Sequence, residues 1–211
     1  AGTWEFRRGM AKTHEVVLGF AEPAEDYHAA MPAAAPILRP VIATVKPEYI
    51  QSTRSLPFFF PSKPEKYPKL ETFYALLFES LSRAYGMLHY GDAPSASYTA
   101  QGRGRTEKGE AFIWVNNEYD MPYMAMHQFL RGGDRNVWQQ RVEPSVWHMM
   151  DVDMCHRAPD DEPVLLGAQI HHLANHIGPP GYRADPSHEW VEGLILYHLL
   201  TGLEHPKEHA L

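Results

Sequence analysis

Nine of the 18 prolines fall between Pro23 and Pro68. Proline removes a backbone donor and locks φ, so neither a long helix nor a central strand fits such a stretch. The chain therefore divides into residues 1–21, a proline-rich connector over 22–67, and residues 68–211, where the folded body must lie. Aromatic residues inside the connector (Tyr49, Phe58, Phe59 and Phe60) predict that it is packed on that body, since a free linker has no use for them. Residues 1–21 read as strand. Trp4-Glu5-Phe6 alternates, and His14-Glu15-Val16-Val17-Leu18-Gly19-Phe20 is β-rich and bounded by glycine. Two strands alone are marginal, so they are expected to be the edge of a sheet.

From Tyr67 on, the apolar spacing is helical. Pro68 suits a first turn, and Leu70, Phe73, Tyr74, Leu77, Phe78 and Leu81 recur three and four apart. A second helix is expected from Tyr119 to Arg131, closing on Gly132-Gly133. It is apolar nearly all round and so buried on several sides. A third is expected over 136–153, bent at Pro144, and a fourth from His188 to Thr201, capped by Ser187 and ended by Gly202. Two of these share a pattern about 70 residues apart. Glu118-Tyr119 leads to Phe129-Leu130-Arg131-Gly132, and Glu189-Trp190 leads to Leu199-Leu200-Thr201-Gly202. Such a repeat predicts a mainly α fold of helical hairpins, as in an α/α toroid, with both acidic–aromatic pairs facing one pocket.

Composition narrows the function. At 44% hydrophobic and 21% charged, the chain is globular, and no apolar run approaches the about 20 residues that span a bilayer. The net charge is −7 with no basic block, which argues against nucleic acid as a partner. The lone cysteine, Cys155, excludes an internal disulfide framework and a cysteine-rich zinc site, and reads as a buried, inert thiol. The chain opens on Ala1-Gly2-Thr3-Trp4 and closes on a turn at Gly202 followed by a new helix, as a piece of a longer protein would.

Three stretches could carry chemistry. In Trp114-Val115-Asn116-Asn117-Glu118-Tyr119-Asp120, aromatic faces can stack on sugar rings while Asn117, Glu118 and Asp120 bind hydroxyls; the alternative is capping of the helix that follows. In His148-Met149-Met150-Asp151-Val152-Asp153-Met154-Cys155-His156, the three-residue spacing lets Asp151 pair with His148, and His156 follows the helix end. Gln169-Ile170-His171-His172-Leu173-Ala174-Asn175-His176 holds three histidines and leads to His188-Glu189-Trp190. Histidine carries protons near neutral pH. His172 and His176 have a zinc-compatible spacing, but Leu173 stands where a zinc protease motif has Glu, so zinc is disfavoured. Arg103 in Gly102-Arg103-Gly104-Arg105 offers a guanidinium to substrate carboxylates.

Tyr90-Gly91-Asp92, Asn117-Glu118-Tyr119-Asp120-Met121-Pro122, Gln128-Phe129-Leu130-Arg131-Gly132-Gly133-Asp134, His148-Met149-Met150-Asp151-Val152-Asp153 and Ser187-His188-Glu189-Trp190-Val191-Glu192-Gly193 together resemble a run in exo-acting rhamnogalacturonan lyases. The resemblance implies the last strands of a β-sandwich domain over 1–21, then the connector, then an incomplete α/α toroid over 68–211. It departs from the family pattern at Ala93-Pro94, where a Trp is expected. It implies β-elimination on a uronate-containing pectic polysaccharide. His172, His176 and His188 are then candidates for the base, Tyr119 for the acid with Tyr182 behind it, and Asn117 and Arg103 for the carboxylate partners. Glu118, Asp120, His156, Glu189 and Trp190 complete the expected substrate contacts. The expected partner is an acidic polysaccharide or oligosaccharide, with neither nucleic acid nor membrane. No cofactor is expected, calcium being left open, and an extracellular or periplasmic setting is favoured. Two other readings stand beside this one. One is a glycoside hydrolase pairing Glu118 or Asp120 with Glu189. The other is a non-catalytic carbohydrate-binding helical module.

Overall fold

The computed structural model describes residues 11–18, 20, 41–81, 86, 88–95, 113–115, 117–154, 156, 166–169 and 189–211. These are mainly helical. The elements are α1 (Pro47–Thr53), α2 (Pro68–Leu81), β1 (Pro94–Ser95), β2 (Ile113–Trp114), α3 (Met121–Gly132), a continuous helical run over 135–153 that we call α4, α5 (Glu192–Thr201) and α6 (Glu204–Ala210). β1 and β2 pair antiparallel, with Pro94 opposite Trp114 and Ser95 opposite Ile113. No helix among the described residues is long and apolar enough to cross a membrane.

The expected strand over residues 14–20 does not form where it is described. Residues 11–18 have no ladder partner among the described residues, and Val16, Leu18 and Phe20 stand exposed. The segment is tied down at its start instead. The Ala11 amide donates to the Asp151 carbonyl at 2.8 Å, and Thr13 donates to the Asp151 carboxylate through its amide (2.6 Å) and its hydroxyl (2.9 Å). The described part of the connector holds only the seven-residue α1. It docks through Ile50 and Phe59, both buried in the main core, while Tyr49 and Phe58 remain exposed.

The core lies among α3, α4 and α5. Trp138 is its centre: its ring meets Phe129 edge-on at 5.0 Å and stacks on Tyr197 at 5.3 Å, and its indole N–H donates to Glu143 at 2.7 Å. Met126, Met149, Met150 and Leu194 fill the space around it. α2 spans the predicted residues; of the described part of its stripe, Phe73 is exposed and Leu70 and Tyr74 are half-buried. The helix is held by Arg131, which pairs with Glu71, donates to the Phe60 carbonyl at 3.0 Å and lies over the Phe60 and Tyr74 rings at 4.8 and 5.7 Å.

α4 differs from the single bent helix expected. Its α segments Arg135–Val137 and Glu143–His148 alternate with π turns at Trp138–Val142 and Met149–Asp153. Pro144 accounts for the first π turn. It has no amide for the Gln140 carbonyl, and its ring would clash there in an α-helix. The wider turn relieves the clash, and Arg141 donates to that carbonyl at 2.7 Å.

α5 begins at Glu192, four residues later than expected, with Val191 flanking it and no side-chain cap of its own. The reason is a cap supplied from another helix. Asp120, the N-cap of α3, accepts from the Tyr123 amide at 3.0 Å and from the Gly193 amide at 2.8 Å, so one carboxylate satisfies first-turn donors of both helices. Gly193 is required there. A Cβ would collide with the Asp120 carboxylate and come within 2.8 Å of Pro122 Cβ.

Candidate functional site

The loop before α3 is strained. Asn117, Tyr119 and Asp120 have φ of 48°, 60° and 54°, a left-handed conformation that costs a non-glycine residue about 1–2 kcal/mol each. Such a run persists only where its surroundings over-determine it, and strain of this kind clusters at functional sites. The turn buries Asn117, Glu118 and Asp120 and leaves Tyr119 61% exposed.

On the buried side is a polar cluster built on His148. Its Nδ1 lies 3.2 Å from the Tyr90 carbonyl and its Nε2 3.1 Å from Asp153 Oδ1, with Asp92 Oδ2 at 3.8 Å. A carbonyl and a carboxylate are both acceptors, so the surroundings favour the imidazolium form, in which both ring nitrogens donate. Burial pushes its pKa down, but the charges of Asp153 and Asp92 and the bond to Asp153 outweigh this and hold it above the usual value. Asn117 Nδ2 donates to Asp153 Oδ2 at 2.9 Å, and Asp92 Oδ1 accepts from the Ala93 and Asn117 amides at 2.7 and 3.3 Å. Asn117 Oδ1 is buried without a partner. Gly91, at φ 99°, lets the 90–92 turn lie directly on α4, where a Cβ would overlap the Pro144 carbonyl. His89 stacks on Trp114 at 4.3 Å, its pKa lowered by burial and by the His148 cation.

The i, i+3 pairing expected between His148 and Asp151 is therefore replaced by an i, i+5 pairing with Asp153, while Asp151 holds Thr13. The second π turn is the cause. Its wider pitch brings the residue five places on, rather than three or four, back beneath the histidine. Helical spacing rules assume 3.6 residues per turn and could not have found this pair. The His148–Asp92 contact had no local signal at all, although both residues lie in the motifs quoted above.

On the exposed side, Tyr119 and Trp190 meet ring to ring at 4.9 Å. The aromatic members of the two acidic–aromatic pairs, 71 residues apart, thus meet at the adjoining starts of α3 and α5, whereas Glu118 is buried and Glu189 exposed. The Trp190 amide donates to Gln169 Oε1 at 3.4 Å. Asp120 beneath is pushed up to about 6, first by burial and then by Glu192, against the two amides that lower it. Tyr123 is raised by burial and by the same two carboxylates.

Other expected site residues fall differently. The amide NH2 of Asn117 is committed to Asp153, so it does not face a ligand as expected. His156 is exposed, but its ring bonds to the Met150 carbonyl and contacts His209 of α6 at 4.9 Å, away from the aromatic pair's own partners. His172, His176, His188, Arg103, Tyr182 and Cys155 lie outside the described residues. Among the described residues no group of three or more His, Cys, Asp or Glu could hold a metal ion. No family model, curated protein or solved structure matches the chain.

Proposed function

We propose that the chain belongs to a carbohydrate-active enzyme of the α/α-toroid kind, an exo-acting polysaccharide lyase that cleaves a uronate-containing pectic polysaccharide of the rhamnogalacturonan type. The observation that supports this most is the Tyr119–Trp190 pair, an exposed aromatic platform at the adjoining starts of two helices. Aromatic faces of this kind stack on the apolar faces of sugar rings, and the adjacent Glu189 suits their hydroxyls.

The proposed chemistry is β-elimination. A base from His172, His176 or His188 takes the proton on the carbon that bears the carboxyl group. The electron pair forms a double bond to the neighbouring carbon, the glycosidic C–O bond there breaks, and Tyr119, with Tyr182 behind it, gives a proton to the leaving oxygen. Arg103 neutralises the carboxylate so that the carbanion-like state is reachable. A second reading has one observation in its favour. Asp120 holds a proton to about pH 6, as the acid of a glycoside hydrolase would, with Glu189 as its partner. Against it, both Asp120 oxygens are occupied by backbone amides.

Ultraviolet absorbance during incubation with rhamnogalacturonan oligosaccharides, followed by product masses, separates these. A growing band from a conjugated double bond, lost in a His172→Ala, His188→Ala double variant, is the expected result. Saturated products would replace the lyase with the hydrolase. Binding without any product would leave a carbohydrate-binding module.

A further inference from the structure

Tyr123, His127 and Arg131 are spaced four apart on α3, and Tyr119 lies in the left-handed turn just before it. The three helical members drift by about 40° each around an ideal helix, so they form a slowly winding stripe about 12 Å long. Each of the four is tied to an aromatic or cationic neighbour: Tyr119 to Trp190, Tyr123 to His127 at 4.3 Å, and Arg131 to Phe60 and Tyr74. Beside this stripe runs a groove of about 240 Å³, walled by Phe58, Phe60 and Tyr74 on one side and by Tyr123, His127 and Arg131 on the other.

Two features of the groove are not explained by folding. Phe58 is 97% exposed and sits at φ 56°, a conformation costly for a bulky side chain, with no burial in return. The left-handed turn sends Phe59 into the core and leaves Phe58 on the rim of the groove. His127 Nε2, also on the groove, is buried with no hydrogen-bond partner, and an unsatisfied buried polar atom is a cost that a ligand can remove. Burial and then the Arg131 charge lower the pKa of the ring. The Arg131 charge is itself matched by Glu71, and its other donors go to Gln128 and the Phe60 carbonyl. The groove is thus an aromatic slot with one buried, unpaired hydrogen-bonding atom in its wall and the Arg131 charge matched by Glu71.

We propose that this groove is a distal subsite for a neutral sugar ring. The neutral ring stacks against Phe58 and Tyr123, and one of its hydroxyls takes up the unpaired His127 Nε2. The charged uronate is left to the Tyr119–Trp190 platform before the start of α3. This inference rests on the carbohydrate reading above.

The test is calorimetric titration of the chain with rhamnogalacturonan fragments of two and of six residues, using wild type, Phe58→Ala and His127→Phe. Thermal melts confirm that each variant is folded, and Phe58, being fully exposed, gives a variant that folds normally. The expected result is that wild type binds the hexamer more tightly than the dimer. Each variant then loses about tenfold in hexamer affinity, with dimer affinity unchanged. Equal hexamer affinity in wild type and folded Phe58→Ala overturns the subsite while leaving the carbohydrate reading intact. Absence of binding to either fragment by folded wild type overturns both.

Discussion

The two sides of the 117–120 loop set polar groups to opposite uses. Towards the interior, Asn117 joins His148, Asp153 and Asp92 in a cluster closed off from water, where a cation and two carboxylates satisfy one another at fixed distances. Towards the exterior, Tyr119 and Trp190 present ring faces, and the carboxylate beneath them is spent on holding two helices together. Paired charge is thus buried, and the reachable surface is aromatic with the exposed Glu189 and Glu192 beside it. A buried charge can be neutralised only by partners built into the fold, so such a cluster over-determines the backbone around it. That over-determination is what holds the left-handed turn beneath the platform. The interior region is the brace and the exterior one the candidate site.

The comparison breaks most sharply at Asp153. Replacing it with Ala removes the carboxylate that bonds both His148 and Asn117 and leaves them the longer contacts to Asp92 (3.8 Å) and to the Ser145 carbonyl (3.4 Å), with an expected loss of about 3–5 kcal/mol in denaturant unfolding. Because the folded pKa of His148 is held above its ordinary 6.5, the cluster's contribution is full below that pH and declines as pH rises through the raised value. The Asp153→Ala variant should lose that alkaline decline. A variant as stable as wild type would show that the cluster does not brace the loop.

Asp120→Asn has the next largest effect. The new NH2 must face one of the two backbone amides that the carboxylate accepted, costing about 1–3 kcal/mol. The variant also carries a pH signature. The unfolded carboxyl gives up its proton near its ordinary 3.8, whereas burial holds the folded one to about 6. Between those values the folded state binds more protons, so wild-type stability falls as pH rises, by an order of 2–3 kcal/mol, and then flattens. Unfolding curves from pH 4 to pH 7 should show this slope in wild type and none in Asp120→Asn.

These residues also mark how far the sequence was legible. α2, the Gly133 and Gly202 helix ends and the meeting of Tyr119 with Trp190 could be read from periodicity, caps and repeat, but not the parting of Glu118 from Glu189. What escaped was whatever depended on a contact distant in the chain. α5 starts late because its cap comes from Asp120, 73 residues away in sequence. The His148–Asp153 pair needs a π turn, which no spacing rule at 3.6 residues per turn anticipates. A β-rich composition suggested a strand at residues 14–20, but composition is only half of a strand, and the other half is a neighbour with which to pair, which the described residues do not include.

Trp190→Ala tests the exterior region alone. Trp190 is half-buried and makes its ring contact with Tyr119 at the rim, so the stability loss should stay within about 1 kcal/mol. Oligosaccharide affinity should fall about tenfold. Loss of stability without loss of binding would move Trp190 from the platform to the core.

The smallest expected effect is the most pointed, because its sign is opposite to the others. Tyr119 sits at φ 60° with most of its ring in solvent, so the fold bears the left-handed strain while gaining little burial from the side chain. Glycine adopts that conformation freely, and Tyr119→Gly should relieve about 1 kcal/mol of strain, partly offset by the greater freedom of glycine in the unfolded chain. The net expectation is stability unchanged or raised by a few tenths of a kcal/mol, together with loss of sugar binding and of any elimination activity. Tyr119→Ala keeps the strain and loses the ring, so it should bind as poorly as Tyr119→Gly and be the less stable of the two. If Tyr119→Gly is instead destabilised by as much as Tyr119→Ala, the tyrosine ring belongs to the brace, and the division between the two sides of the loop fails at its most exposed residue.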